Sequence, residues 1–320
     1  MPKRKLISVV VPCYNEEDCA GALAAELRRV FDGLPNYDFE AILVDNGSED
    51  RTWELLVAEQ KRDRRFKVVR LMRNFATDGG IAAGLAKATG DAAFIVYADL
   101  QDPPAMLGAF LEKWEQGYLN VYGVIKARHD SAIRSFNAGI FYRTMDFLTN
   151  GKFPRNVGDF RLVDRSVYET VNKIPEHNRV LRGLFAWVGG RSIGIPYERQ
   201  ARAGGVSKAL TVYCIRFALR CIFGFSYLPI TILTGLGFVL SAIAFATLFI
   251  LGLRSFFWGI PMNGTDFIVG LMLLLFGFTF MMLGVIGRYI SMMHEDTKGR
   301  PNFIVLDEVG FGRGRKGARG

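Results

Sequence analysis

Two stretches in the last third of the chain decide what it can fold into. Residues 228–252 carry no charged side chain over 25 positions, and residues 267–287 carry none over 21. At the helical rise per residue these lengths reach about 37 Å and about 31 Å, against a hydrocarbon core of roughly 30 Å. A soluble helix of that length needs a polar face, and neither run has one. Both are therefore read as transmembrane helices, at about 228–252 and 267–290. Gly235, Gly237, Gly277 and Gly284 suit close helix contact within the membrane.

The flanks set an orientation. Lys208, Arg216 and Arg220 precede the first run, and Arg288, Lys298 and Arg300 follow the second. The linker 253–266 holds one Arg and one Asp. Positive flanks stay in the cytoplasm. The expectation is a multi-pass protein of the inner (plasma) membrane with its soluble part inside. Residues 206–226 place Arg216 and Arg220 one turn apart among large apolar side chains, as an interfacial amphipathic helix would. Residues 291–320 read as a cytoplasmic basic tail ending FGRGRKGARG, either held to anionic lipid or simply solvated.

Residues 1–205 have a different texture. Apolar runs recur at LISVVVP (6–12), FEAILVD (39–45), FKVVRLM (66–72) and AAFIVYAD (92–99), with helix-like stretches at 18–32 and 51–62 between them. Strands apolar throughout and alternating with helices predict a mainly parallel, Rossmann-like sheet covered on both faces. Such sheets bind ligands beyond the carboxyl ends of their strands. All four ends turn polar here: Tyr14-Asn15-Glu16, Asp45-Asn46-Gly47-Ser48, Arg73-Asn74 and Asp99-Leu100-Gln101-Asp102. The start, MPKRKLISVVVPCYNEE, imitates a signal peptide, but its apolar run before Pro12 is short and acids follow, so a first strand is expected.

Several functions are excluded. No GxGxxG follows the first strand and no GxxxxGK[ST] occurs, which removes the dinucleotide and P-loop readings. Four cysteines without a CxxC pair and three scattered histidines argue against a zinc site or a disulfide framework. The formal charge of +9 calls for an anionic partner. That partner is a lipid headgroup or a nucleotide; so much apolar sequence counts against nucleic acid.

The polar ends suggest a nucleotide held without a glycine-rich loop. Asp45 can accept hydrogen bonds from a base or ribose. Asp99 and Gln101, two apart, would point to one side of an extended segment and hold a divalent cation, Mg²⁺ or Mn²⁺, bridging a diphosphate. Asp102 can join them or cap the helix after Pro103-Pro104.

The ordered set VVVPCYNEE, ILVDNGSEDRT, RNFATDGGIAAGLAKATGD, ADLQDPP, GDFRLVDRSV, RVLRGLFAWVGG and GGVSK resembles the inverting family 2 glycosyltransferases of GT-A fold. It is closest in pattern to the polyprenyl-phosphate branch, the dolichol-phosphate mannose synthases and bactoprenol glucosyltransferases. The resemblance implies that Pro12, Tyr14, Glu16, Asp45 and Asp99 border the nucleotide, that Asp99 and Gln101 ligate the metal, and that Asp159 and Arg161 flank the reacting sugar and acceptor. The chain departs from the family pattern at Asn46 and Tyr97, where the family usually has Asp.

Lys126, Arg128, Arg134 and Arg143 lie in a basic stretch that reads either as a solvated helix or as a clamp on the acceptor phosphate. Arg202, Ser207 and Lys208 form a second group that would meet a phosphate headgroup at the membrane surface. The implied reaction moves a sugar from a nucleotide sugar to polyprenyl (undecaprenyl) phosphate at the cytoplasmic face. Its product, a lipid-linked sugar, would serve cell-surface glycan modification such as that of lipopolysaccharide. The motifs do not distinguish the donor sugar; the resemblance of the two-span architecture to the bactoprenol glucosyltransferases implies UDP-glucose. A homo-oligomer, a flippase and a downstream glycosyltransferase are compatible partners. Two rivals stand: a catalytically weak membrane scaffold of the same fold, and a processive polysaccharide synthase, against which the absence of QxxRW counts.

Overall fold

A computed structural model describes residues 4–126, 157–176, 179–199 and 264–312, with isolated positions between 235 and 257. The chain forms two compact units, Met1–Cys214 with Gly299–Gly320, and Ile215–Lys298.

In the first unit each apolar run becomes a strand: β1 (Lys5–Cys13), β2 (Tyr37–Asp45), β3 (Phe66–Leu71) and β4 (Ala92–Ile95). Helices α1 (Ala20–Asp32), α2 (Thr52–Arg62) and α3 (Ala76–Lys87) connect them. Ile7, Val9, Val10 and Val11 are all fully buried because helices cover both faces of β1. A helix α4 (Leu107–Glu115) leads to β5 (Asn120–Ile125), and the chain continues through β6 (Val157–Asp164), α5 (Arg165–Lys173), α6 (Leu181–Val188) and β7 (Ser192–Tyr197).

The sheet order is β7-β5-β6-β4-β1-β2-β3-β8, with β8 at Val305–Val309. Strands β4, β1, β2 and β3 run parallel, whereas β6 is antiparallel to both β4 and β5. The chain walks outward from β1 to β3 and then returns to the other side of β1 as β4. That reversal opens a crevice at the carboxyl ends of β1 and β4. Because β6 is antiparallel, it brings its first residues, Val157 to Asp159, to this same edge.

Close approach of α3 to the sheet depends on glycine. A Cβ on Gly84 would lie 2.3 Å from Val10 Cγ1, so only glycine lets the helix settle on β1 and β2. Towards the other edge of the sheet, the buried Glu40 carboxylate gathers the strands. It accepts from Ser8 Oγ at 2.5 Å, Thr89 N at 2.7 Å and Lys67 Nζ at 2.5 Å.

Strand β8 revises the reading of residues 291–320 as a tail. After Gly299 the chain re-enters the first unit, where Val309 pairs with Val68 and Asp307 with Arg70 on the open side of β3. Lys87 Nζ donates to Glu308 at 2.7 Å. Five residues with two acids carry too little periodic signal to announce a strand; the open edge of β3 supplies the partner.

In the second unit, α7 (Thr265–Thr297) runs 33 residues. Its segment Leu275–His294 is the one helix among the described residues long and apolar enough to cross a membrane. The other expected span, 228–252, falls almost wholly outside the described residues, and the interfacial stretch 206–226 falls entirely outside them.

Candidate active site

The polar strand ends enclose a cavity of about 440 Å³. Its floor and walls come from the end of β1 (Pro12, Cys13, Tyr14, Glu16), from Asn46 after β2, and from Tyr97, Ala98, Asp99 and Asp102 after β4. Gly158, Arg182, Tyr197 and Arg199 close the other side. Four expected residues, Pro12, Tyr14, Glu16 and Asp99, therefore share one cavity.

The loop after β4 does not stay extended. Leu100 has φ of 54°, and Asp99 Oδ1 accepts from the Gln101 backbone N at 3.2 Å. This turn breaks the alternation on which a paired Asp99–Gln101 ligand set depends, and Gln101 is absent from the cavity lining. Asp102 lines it instead. Asp102 does not cap the following helical turn: it accepts from Tyr197 Oη at 2.5 Å and lies 3.1 Å from Arg199 Nε. Burial pushes the Asp102 carboxyl above its ordinary range, against the pull of Tyr197 and Arg199.

Asp159 sits behind the cavity wall, 1% exposed. Its Oδ2 accepts from Tyr97 Oη at 2.6 Å and from Arg182 Nη2 at 2.8 Å. Burial alone would raise this carboxyl, but the Arg182 and Arg161 guanidinium groups and these hydrogen bonds outweigh it and hold it below the usual carboxylate range. Asp159 is thus a fixed anion and a weak base. Burial pushes the Tyr97 phenol well above its ordinary value, and Asp159 adds to the effect, so Tyr97 is a neutral donor.

Arg161 lies beyond the lining. It is 2% exposed, donates from Nη2 to Gly158 O at 2.8 Å and stacks on Phe185 at 4.7 Å, and burial pushes it down to about 10. Asp45 is also fully enclosed, accepting from Ser48 N at 2.9 Å and facing Arg70 Nε at 3.3 Å. Lys126 is exposed and 3.5 Å from Glu198. Arg128, Arg134, Arg202, Ser207 and Lys208 lie outside the described residues.

Asn46 explains one departure from the family pattern. Its Nδ2 donates to Ala76 O at 2.8 Å, and its Oδ1 accepts from Phe75 N at 3.0 Å. Ala76 has φ of 59°, so this amide clasps a left-handed residue at the start of α3. A carboxylate could serve the N–H but would oppose the carbonyl. Asn46→Asp is expected to destabilise the fold by about 1–3 kcal/mol in urea titration, more at pH 8 than at pH 4.

Sequence reasoning missed Arg182, Tyr197 and Arg199. Arg182 stands inside the quoted RVLRGLFAWVGG, and Tyr197 and Arg199 sit in PYERQ, a fifth polar strand end after SIGIPY.

Residues 8–171 match the model of glycosyl transferase family 2. An uncharacterised glycosyltransferase of Synechocystis is 37% identical over 306 residues, covering 95% of this chain and 96% of that protein. A prophage bactoprenol glucosyl transferase homologue of Escherichia coli is 33% identical over 300 residues, covering 93% and 98%. The bactoprenol glucosyl transferase of Shigella phage SfX is 31% identical over 300 residues, with the same coverage. A mixed, mainly parallel sheet with its polar cavity at the strand ends, together with matches along almost the whole length, makes the chain a member of glycosyltransferase family 2, with a GT-A fold and glycosyltransferase activity.

Proposed function

We propose that the protein transfers a sugar, glucose from UDP-glucose in the favoured reading, to a polyprenyl phosphate at the cytoplasmic face of the plasma membrane. The observation that carries this is the pairing of the cavity with relatives named as bactoprenol glucosyl transferases over almost their full length. The long apolar helix α7 supports a lipid acceptor.

In this reading an oxygen of the acceptor phosphate attacks the anomeric carbon. The bond from that carbon to the donor diphosphate breaks, the configuration inverts, and a nucleoside diphosphate leaves. A phosphate monoester has a second pKa of about 6, so its oxygen needs no base near neutral pH. That suits the weakly basic Asp159. Arg182 and Arg199, both on the cavity wall, would meet the phosphate charge.

A divalent cation fits with one qualification from the donor set. Among the described residues no three His, Cys, Asp or Glu side chains gather in a metal-ready group. Asp99 would hold the ion with diphosphate oxygens completing its shell, a habit of Mg²⁺. The bound ion would add positive charge at the leaving diphosphate.

The test supplies the purified full-length protein with undecaprenyl phosphate and a panel of nucleotide sugars, followed by mass spectrometry of the lipid extract. One lipid-linked hexose is expected, reduced at least about 100-fold in Asp99→Ala. Absence of any lipid-linked sugar across the panel would reject the assignment.

A further inference from the structure

We propose that an apolar patch at the cavity edge of the sheet docks the first unit on the headgroups of an anionic bilayer. The patch is Met72, at the end of β3, with Ile304 and Leu306 around the start of β8. The inference rests on the reading of the chain as a membrane-bound transferase and names the surface by which its cavity meets the lipid.

Exposure sets this patch apart. Folded surfaces leave single large apolar side chains exposed but seldom group them. Among the described residues of the first unit four are exposed: Met72 at 59%, Trp187 at 61%, Ile304 at 42% and Leu306 at 53%. Three of these four sit together, because Met72 N donates to Ile304 O at 2.9 Å and β8 pairs with β3 from there.

Strand direction places the patch. β8 is antiparallel to β3, so its first residues lie at the carboxyl edge of the sheet, where the cavity opens. The approach to β8 is pinned along that edge. Asn302 Nδ2 donates to Glu176 O at 3.2 Å, and the Asn302 carbonyl lies 3.3 Å from where a Cβ would stand on Gly79, in the first turn of α3. Thr77 of the same turn lines the cavity.

Continuity and charge select lipid as the occupant. Ile304 follows Thr297, the last residue of α7, by seven positions, and that much extended chain spans at most about 25 Å. Helix α7 carries the described segment long and apolar enough to cross a membrane, so its own connection keeps the patch near the bilayer surface that segment would reach. Arg73, next to Met72, is exposed, as are Lys298 and Arg300 in the connection. The acids lie farther along β8, Asp307 opposite Arg70 and Glu308 bonded to Lys87 at 2.7 Å. Apolar side chains flanked by cations suit a layer of anionic headgroups, where the apolar groups enter the acyl boundary and the cations meet phosphates. Across a two-fold axis at this patch, a second copy of the chain would instead set the same cations against each other. Docked this way, the cavity would take a lipid phosphate whose tail stays in the membrane.

The test reconstitutes full-length protein in nanodiscs of phosphatidylglycerol or of phosphatidylcholine, each doped with lipid bearing a headgroup nitroxide. Met72→Cys, Ile304→Cys and Lys61→Cys, each combined with Cys214→Ser and Cys221→Ser, carry a bimane label. Lys61 is the control, exposed near the end of α2 where the chain turns into the start of β3, away from the cavity edge. In phosphatidylglycerol the labels at 72 and 304 should be quenched at least about twofold and the label at 61 by no more than about 10%. Quenching at 72 and 304 should weaken in phosphatidylcholine. Met72→Glu with Ile304→Glu should lower transfer to undecaprenyl phosphate about 10-fold, leave transfer to water-soluble geranyl phosphate within about twofold, and leave the melting temperature unchanged. The inference is overturned if positions 72 and 304 are quenched no more than 61, or if both lipids quench them equally. It is overturned too if these labels are shielded from lipid nitroxide and aqueous iodide alike, which would put a second copy over the patch, or if the double variant loses both acceptors equally. Wild-type protein that gives no product with either acceptor would remove the transfer reading, and the quenching would then decide the patch by itself.

Discussion

Asp159→Ala is expected to destabilise the first unit by about 3–5 kcal/mol and to reduce sugar transfer below detection. The residue is 1% exposed, and its Oδ2 holds Arg182 at 2.8 Å. Arg161, itself 2% exposed, depends on the same negative charge, which opposes the downward push of burial on its pKa. Removing the carboxylate takes away the negative charge that acts on both the buried Arg161 and the half-buried Arg182. Asp159→Asn keeps the volume and one acceptor, so it should fold better than the alanine variant yet remain impaired in transfer. Chemical denaturation of both variants beside a transfer assay checks this. A pH effect follows. The folded carboxyl lies below its ordinary range, so its stabilisation is fully present above the unfolded value of about 3.9 and is lost as pH falls through the folded value. Wild-type stability should fall in that acidic window, and the fall should be shallower in Asp159→Asn.

The second large effect concerns the opposite side of the sheet. Glu40→Ala should cost about 3–5 kcal/mol with no direct contact to the cavity. Its carboxylate is the common acceptor for Ser8, Lys67 and Thr89, and so ties β1, β3 and the turn before β4 to β2. Burial would raise the Glu40 carboxyl, yet the bonds from Lys67, Ser8 and Thr89 hold it below its usual value. Its contribution is therefore also present above about 4.3 and lost as the medium becomes acidic. Glu40→Gln retains an acceptor for Ser8 and Thr89 but turns an amide towards Lys67, so a smaller loss is expected. Urea titrations at pH 7 order the three proteins: wild type, glutamine, alanine. If stability is altered and binding of UDP at saturating fold is unchanged, the residue is structural as argued.

Much of the first unit was legible because it is built from local signals. Four apolar runs became β1 to β4, and their polar ends lie on one edge since parallel strands share a direction. Tyr14, Glu16 and Asp99 could be placed together on that ground, and Pro12 on the family resemblance. The opposite wall was not legible. Gly158 reaches the edge only because β6 runs antiparallel, and Tyr197 at the end of β7 and Arg199 just beyond it arrive through a strand that pairs with β5 across more than 60 positions of sequence. No spacing within a short window carries such information.

Two details show how local geometry overrides pattern. Leu100 in the left-handed region interrupts the extended backbone expected between Asp99 and Gln101, so the pairing of these two side chains stands on the family resemblance and not on strand alternation. Tyr97 looked like a lost ligand in the sequence, whereas in the fold it is the donor that meets Asp159. Similarly, β8 depends on an edge that exists only once β3 has folded.

The most direct measurement of the central claim is the coupling of nucleoside diphosphate release to the lipid acceptor. With the full-length protein and its preferred nucleotide sugar, release should be slow alone and accelerate strongly on adding undecaprenyl phosphate, with one lipid-linked sugar formed per diphosphate released. Release that is equally fast without the lipid, or that leaves the sugar in water rather than on the lipid phosphate, would contradict the account.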